Sequence, residues 1–338
     1  MKRSLLLAIV LASGASSASS VTGRLDYIQG TELLGARAAI KPVIDLSAGR
    51  FRLHGEAFLE ADAFEKLPYS EPGHYRYFLQ EAYGEIDLSP FTLRAGYQSV
   101  RWSESWSVPS LDFWTARRWD RYFLDPVAEQ LIHPLGVLLR YADDSFELEG
   151  FGSFRTPTDT LPLGVDEESV EQRFDSGGRM KLRLWGLDFS PAYAFIDYRH
   201  HYGFALSYAF DSVVAKIEAG HEGSNAEFGI AGLDIFIGEF SLFPQLTMYR
   251  PPEVSALELI TYVPLRYETG PNKFEVQFLR TQAGEIFIGG EYGRALDDNF
   301  TFSAFAQDYR SNGEGFISSF DKLVNAGWIG GMRLTVTR

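Results

Sequence analysis

Apolar and polar residues alternate one for one along several stretches of this chain. Phe274, Val276 and Phe278 interleave with Lys273, Glu275 and Gln277, and Phe51, Leu53, Ala57 and Leu59 oppose Arg50, Arg52, His54, Glu56 and Glu60. Met180, Leu182 and Leu184 alternate with Arg179, Lys181 and Arg183, and Ile286, Ile288 and Tyr292 stand against Glu285 and Glu291. Successive side chains of a strand point to opposite faces, so each stretch predicts a strand with one greasy and one hydrated side. A soluble sandwich shows the same alternation on each strand, so periodicity alone does not choose the fold. The number of repeats chooses it: segments of about 9 to 13 residues recur from about residue 21 to the C-terminus, roughly 14 to 18 in all. The expected architecture is all-β, a transmembrane antiparallel up-and-down β-barrel of about 16 strands.

Tight hairpins are expected between Leu187 and Tyr202, at Phe210-Asp211-Ser212, at Gly238-Glu239 and at Ala283-Gly284, where strand patterns restart after a few residues. Longer polar insertions at Asp62 to His74, Thr156 to Gly177, Arg250 to Ser255 and Ser311 to Asn325 read as outer loops. The last residues, Gly327 to Arg338, read as a strand running to the end of the chain. They resemble the terminal strand by which outer-membrane assembly machinery recognises its clients, with Arg338 where an aromatic residue is usual.

The start of the chain sets the compartment. Met1-Lys2-Arg3 is a basic opening, Leu5 to Ala12 is an apolar run about half as long as a membrane-spanning helix, and Ser16-Ser17-Ala18 is a small-residue cleavage site. Residues 1–18 are therefore expected to be a signal peptide and 19–338 the barrel, in the outer membrane of a Gram-negative bacterium. There is no cysteine, which excludes a lipid-anchored cysteine, disulfides, thiol nucleophiles and thiolate metal sites. The net charge of −14 makes nucleic acid a poor partner. Aromatics reach 15%, and this richness without long apolar runs suits strands that bury alternate residues in lipid.

One segment breaks the rhythm. Residues 99–131 are too long for a turn, and they hold four of the six tryptophans: Trp102, Trp106, Trp114 and Trp119. Tryptophans that anchor a barrel at the membrane surface are spread among strand ends, so this concentration predicts a loop folded into the lumen. The expected pore constriction is Arg101, Glu104, Arg117, Arg118 and Arg121, with the four tryptophans as its aromatic lining. Glu81, Glu85, Arg94, Arg179, Lys181 and Arg183 are the expected lumen wall. Arginine binds both oxygens of a carboxylate, so the same residues also suit a strut tied to wall acids such as Glu147 and Glu149.

Leu79-Gln80-Glu81-Ala82-Tyr83 followed by Leu93 to Trp102 resembles the paired hairpin of porin-like bacterial outer-membrane barrels, the alginate-export-like barrels among them. Tyr97 stands where that pattern commonly has Arg, and Ser103 where it commonly has Gly. The resemblance covers residues 76 to 131 and implies a porin-like barrel with an intraluminal loop.

The function expected from these features is a channel for small hydrophilic solutes, with outer-membrane lipid and the assembly machinery as further partners and a homo-oligomer open. A non-conducting barrel that binds a partner is one alternative. An outer-membrane lipid hydrolase is another, since His221 and Ser224 resemble the His-x-Ser-Asn-Ala motif of outer-membrane lipid A deacylases. Their three-residue spacing would put them on opposite faces of a strand, where two-residue spacing would not. His200 and His201 are adjacent and face apart, so no metal site is expected. Neither a cofactor nor a catalytic residue is expected.

Overall fold

The computed structural model describes residues 16–30, 34–62, 75–103, 111–114, 116–117, 131–155, 172–223, 226–250, 257–311 and 327–337. The chain begins with β1 (Ser16–Gly30), β2 (Leu34–Ala48), β3 (Phe51–Asp62), β4 (Tyr75–Leu88) and β5 (Phe91–Tyr97). A two-residue ribbon follows, β6 (Ala116–Arg117) with β7 (Leu131–Ile132). Then come β8 (Leu135–Ala142), β9 (Phe146–Arg155), β10 (Gln172–Leu184), β11 (Leu187–Ile196), β12 (Arg199–Phe210), β13 (Val213–Glu222) and β14 (Ala226–Ile237). The series ends with β15 (Phe240–Leu242), β16 (Gln245–Arg250), β17 (Glu258–Thr269), β18 (Asn272–Thr281), β19 (Ile286–Ala295), β20 (Phe300–Arg310) and β21 (Trp328–Thr337).

Apart from the ribbon, each strand pairs antiparallel with its sequence neighbours, and β1 pairs with β21 from Thr22↔Thr337 to Gly30↔Ile329. That last pairing closes the barrel, which leaves no sheet edge. β15 and β16 are two halves of one span, since both lie between β14 and β17. The break falls at Phe243-Pro244, where proline cannot donate to a ladder. The barrel therefore has 18 strands, the upper end of the range read from the alternation.

Alternation decides which face meets water. Leu53 and Leu59 are exposed outward while His54 and Glu60 turn inward; Leu148 is exposed while Glu147 and Glu149 are covered. The exterior carries an apolar surface with Leu25, Ile40, Ile44, Ile217, Leu265 and Ile288 exposed on it. Phe240, Tyr267, Phe274 and Tyr292 form a row on four neighbouring strands, with ring centroids 4.4, 6.1 and 4.8 Å apart, an aromatic girdle at one rim. Leaving such a surface in water would expose far more contiguous apolar area than a soluble protein tolerates, so its solvent is lipid.

The two-residue turns Gly49-Arg50, Trp185-Gly186, Asp211-Ser212, Gly238-Glu239 and Gly270-Pro271 all lie at the rim where the strand carrying Thr337 ends. Short turns mark the periplasmic end of such barrels. The expected hairpins are present, with the turn between Leu187 and Tyr202 at Asp197-Tyr198. The loop expected at Thr156 to Gly177 is shorter than its polarity suggested. β10 already runs from Gln172, because the small residues Ser176, Gly177 and Gly178 belong to a paired strand. The loop expectations at 63–74, 251–255 and 312–325 lie outside the described residues. β1 starts at Ser16, two residues before Ala18, the expected end of the signal peptide.

Candidate functional site

The lumen holds the polar chemistry, and the segment after β5 enters it. Gly96 has φ +136, a conformation that favours glycine, and a Cβ there would collide with the Ala82 backbone. From that point the chain leaves the wall. Trp102, Leu111, Phe113 and Trp114 are buried against Leu138, Phe151, Ala192, Ala194 and Ala205, all on lumen faces of β8, β9, β11 and β12. Trp102 meets Trp114 edge to face at 5.8 Å, and Trp114 meets Phe151 in the same way at 4.9 Å. The wall makes room with small residues. A Cβ on Gly203 would lie 2.6 Å from Leu111 Cδ2, and one on Gly136 would lie 2.6 Å from Phe151 Cζ.

Polar bonds pin the segment in register. The backbone N–H groups of Trp102 and Ser103 both donate to Asp112 Oδ1, at 2.7 and 2.8 Å, which closes the loop on itself. Ser103 Oγ donates to Glu218 Oε2 on β13 at 2.7 Å, and Trp102 Nε1 donates to Glu149 Oε2 on β9 at 3.0 Å. Arg101, the one constriction candidate whose side chain is described, is half exposed with its Nε 3.5 Å from Asp112. Glu104, Trp106, Arg118, Trp119 and Arg121 lie outside the described residues. Arg117 is placed in the ribbon opposite Leu131, and its side chain lies outside the description.

The wall candidates form ion-pair ladders. Glu147, its side chain 3% exposed, takes Arg140 Nη2 at 2.8 Å, Arg179 Nη2 at 2.8 Å and Arg183 Nη2 at 3.0 Å. Arg179 also reaches Glu149 Oε2 at 3.0 Å, the oxygen that accepts the Trp102 indole. Lys181 pairs with Asp188 at 2.8 Å, and Arg94 pairs with Glu85 at 2.6 Å while lying 4.4 Å over the Tyr83 ring. Carboxylate pairing across neighbouring strands thus accounts for Arg94, Arg179, Lys181 and Arg183.

Glu81 lies near two histidines, 3.7 Å from His54 Nε2 and 3.7 Å from His133 Nε2. His133, between the ribbon and β8, is buried, and among the described residues its Nδ1 has no hydrogen-bond partner. Burial, and then the Arg101 cation, holds its imidazole down to about 4.

A second ionic hub escaped the sequence reading. Asp26, its side chain fully buried, accepts Arg37 Nη2 at 2.6 Å and Arg333 Nε at 2.9 Å and has Arg24 Nε at 3.1 Å. Arg37 is 3.9 Å from Glu60. Beside it the lumen widens into a recess of about 440 Å³ whose lining includes Arg24, Lys41, Phe58, Lys273, Glu291 and Arg333. The signal was present as inward-facing charges on β1, β2 and β21, but Arg333 is 307 residues from Asp26 and only the closing register joins them.

Of the alternative hydrolase pair, His221 lies on the outer face of β13, stacked at 5.0 Å on Tyr202, away from the lumen. Ser224 lies outside the described residues. Among the described residues no group of three or more His, Asp or Glu is placed to hold a metal ion.

A closed barrel with a lipid-facing exterior, a charged lumen and a segment folded against its inner wall has the architecture of an outer-membrane β-barrel. Solved structures of the same architecture bear this out at the level of fold. OccK7 (OpdD) of Pseudomonas aeruginosa superposes with a TM-score of 0.63 at 13% identity, covering 96% of this chain and 98% of that one. The outer-membrane protein opdK of the same organism gives 0.64 at 9% identity, with 96% and 98% covered. OccAB4 of Acinetobacter baumannii gives 0.65 at 8% identity, with 97% and 99% covered. No protein-family model and no curated protein sequence matches the chain.

Proposed function

We propose that this protein is a channel of the outer membrane, through which small hydrophilic solutes pass, and that residues 99–131 form its constriction. The observation that carries the reading is the docking of Trp102, Leu111, Phe113 and Trp114 on the lumen wall. An element inside the barrel, held by wall carboxylates, removes cross-section from the path and sets charged groups beside whatever passes. The shared architecture with the Occ and Opd barrels supports a porin-like role over an enzymatic one.

The lumen is graded along its length. Asp45–Arg52, Glu147 with its arginines, Lys181–Asp188, Lys216–Asp234 and Arg266–Glu275 all lie within a few residues of the periplasmic turns. Two apolar clusters lie farther toward the outer end. One is the docked segment, and the other joins Ile28, Ile260, Leu279, Phe287, Phe305, Tyr309 and Ile329 about half a circumference away.

Single-channel recording of the refolded protein in planar bilayers tests the reading. Steady conductance that grows when residues 103–117 are deleted is the expected result. Unchanged current in the deletion variant removes the constriction, and silence in the wild type removes the channel. The second apolar cluster favours a plugged, partner-binding barrel in that event.

A further inference from the structure

We infer that the outer face of β16, β18 and β20 carries a docking site for a phosphorylated glycolipid of the outer leaflet, centred on Arg280 and Arg310. The inference rests on the barrel being seated in the outer membrane with its short turns in the periplasm.

Strand alternation fixes where these side chains point. Leu279 and Thr281 are buried on the lumen side of β18, so Arg280 between them faces outward and is exposed. Tyr309 is buried on the lumen side of β20, so Arg310 and Asp308 face outward, with Arg310 73% exposed. Ile286 is paired in register with Arg280 on one side and with Arg310 on the other. The two arginines are thus two strands apart, about 9.5 Å between backbones. Arg250, on the outer face of β16 and paired with Glu227 at 2.9 Å, extends the row by two more strands.

Such charge is expensive on a lipid-facing wall unless it reaches the interface. An arginine facing lipid at mid-membrane costs about 2–4 kcal/mol, falling to about 0–1 near the headgroups. The three arginines meet that condition, each about ten residues along its span from the turns at Gly238-Glu239, Gly270-Pro271 and 296–299. At about 3.3 Å rise and 40° tilt that distance is roughly 25 Å, the height of the apolar band. They stand at the outer rim, level with the headgroups of the outer leaflet.

The chemistry of the row selects the ligand. Among the described residues Arg280 has no acidic partner, and Arg310 is held only by the exposed Asp308 at 2.9 Å. Guanidinium groups bind phosphoryl oxygens in pairs, and two of them at this spacing suit a lipid with more than one phosphoryl group on a sugar headgroup. Below them Ile288, Val276, Met248 and Leu246 are exposed for acyl chains. Trp328, in register with Asp308 and half exposed, supplies an interfacial ring beside the headgroup.

The test uses the full-length folded protein, delipidated in detergent and offered a bisphosphorylated acylated disaccharide, its dephosphorylated form or phosphatidylglycerol. Native mass spectrometry reads the lipid retained. The bisphosphorylated lipid is expected to be retained preferentially, with Arg280→Gln and Arg310→Gln each weakening retention roughly tenfold. Arg294→Gln, at the opposite rim of β19, should change nothing. Equal retention by the double variant overturns the site, as does equal retention of phosphatidylglycerol or a loss caused by Arg294→Gln. Heat-modifiable gel migration selects folded barrels, and if a glutamine variant does not fold, Arg280→Lys and Arg310→Lys must show a smaller loss for the site to stand. Conductance recorded on the same preparations separates the readings: a silent barrel that still retains lipid through these arginines refutes the channel and leaves the site intact.

Discussion

Trp102 Nε1 donates to Glu149 Oε2 at 3.0 Å, and the same carboxylate oxygen takes Arg179 Nη2 at 3.0 Å. One oxygen therefore joins the inward segment to the arginine cluster around Glu147. The position of the loop and the electrostatics of the wall are one arrangement.

Replacing Trp102 by alanine should loosen the segment more than removing the hydrogen bond alone. The indole is 1% exposed and packs on Trp114 and Phe113, so Trp102→Ala should cost about 3–5 kcal/mol. Trp102→Phe keeps most of the packing and strands only the indole's share of Glu149, at about 1–3 kcal/mol. Chemical denaturation measures both, and open-channel noise should rise in the alanine variant first. Equal effects from the two substitutions would mean that the hydrogen bond, rather than the packing, holds the loop.

Glu147→Gln should turn the wall toward anions. Arg140, Arg179 and Arg183 converge on this buried carboxylate, and the neutral side chain leaves a surplus of positive charge facing the lumen. Removing one member of a buried ionic cluster costs about 3–5 kcal/mol in stability, because the remaining charges stay desolvated. The reversal potential in a salt gradient reports the selectivity, which should move toward chloride over potassium. A shift toward cations would place the cluster away from the conducting path.

How much of this was visible in the chain divides by the range of the interaction. Alternation of Phe274, Val276 and Phe278 with charged residues is local, so the barrel and its inside face could be read directly. The crowding of tryptophans between β5 and β8 is local too, and it marked the segment that enters the lumen. The hubs depend on register between distant strands, which alternation does not encode. Asp26 meets Arg37 across one hairpin but Arg333 only across the closure, and Ser103 meets Glu218 across six strands. The span at 240–250 was harder to read, because Pro244 breaks its alternation into two short halves.

Asp26→Asn should weaken the seam selectively. The carboxylate sits between three arginines on β1, β2 and β21, with no exposed side-chain surface, so the neutral isostere leaves those cations crowded and uncompensated. A loss of about 3–5 kcal/mol is expected. Folded barrels migrate anomalously on gels until heated, so the conversion temperature should drop, with protease cleavage appearing first in β1 or β21. Cleavage confined to other strands would argue against a role in closure.

Acidification should destabilise the docked segment through His133. Its imidazole is held down to about 4, by burial first and by Arg101 second, whereas an unfolded histidine titrates near 6.5. A depressed base is neutral in the folded state and takes up a proton on unfolding. Its contribution is therefore neutral above about pH 6.5, and stability is lost as the pH falls from there toward 4, where the loss levels off. The full interval corresponds to about 3 kcal/mol. His133→Gln should shrink this limb of the pH profile while leaving the loss below pH 4, which the carboxylates dominate. Denaturation midpoints between pH 7 and pH 4 decide the matter, and a wild type and variant that fall in parallel across that range would show that His133 has no part in it.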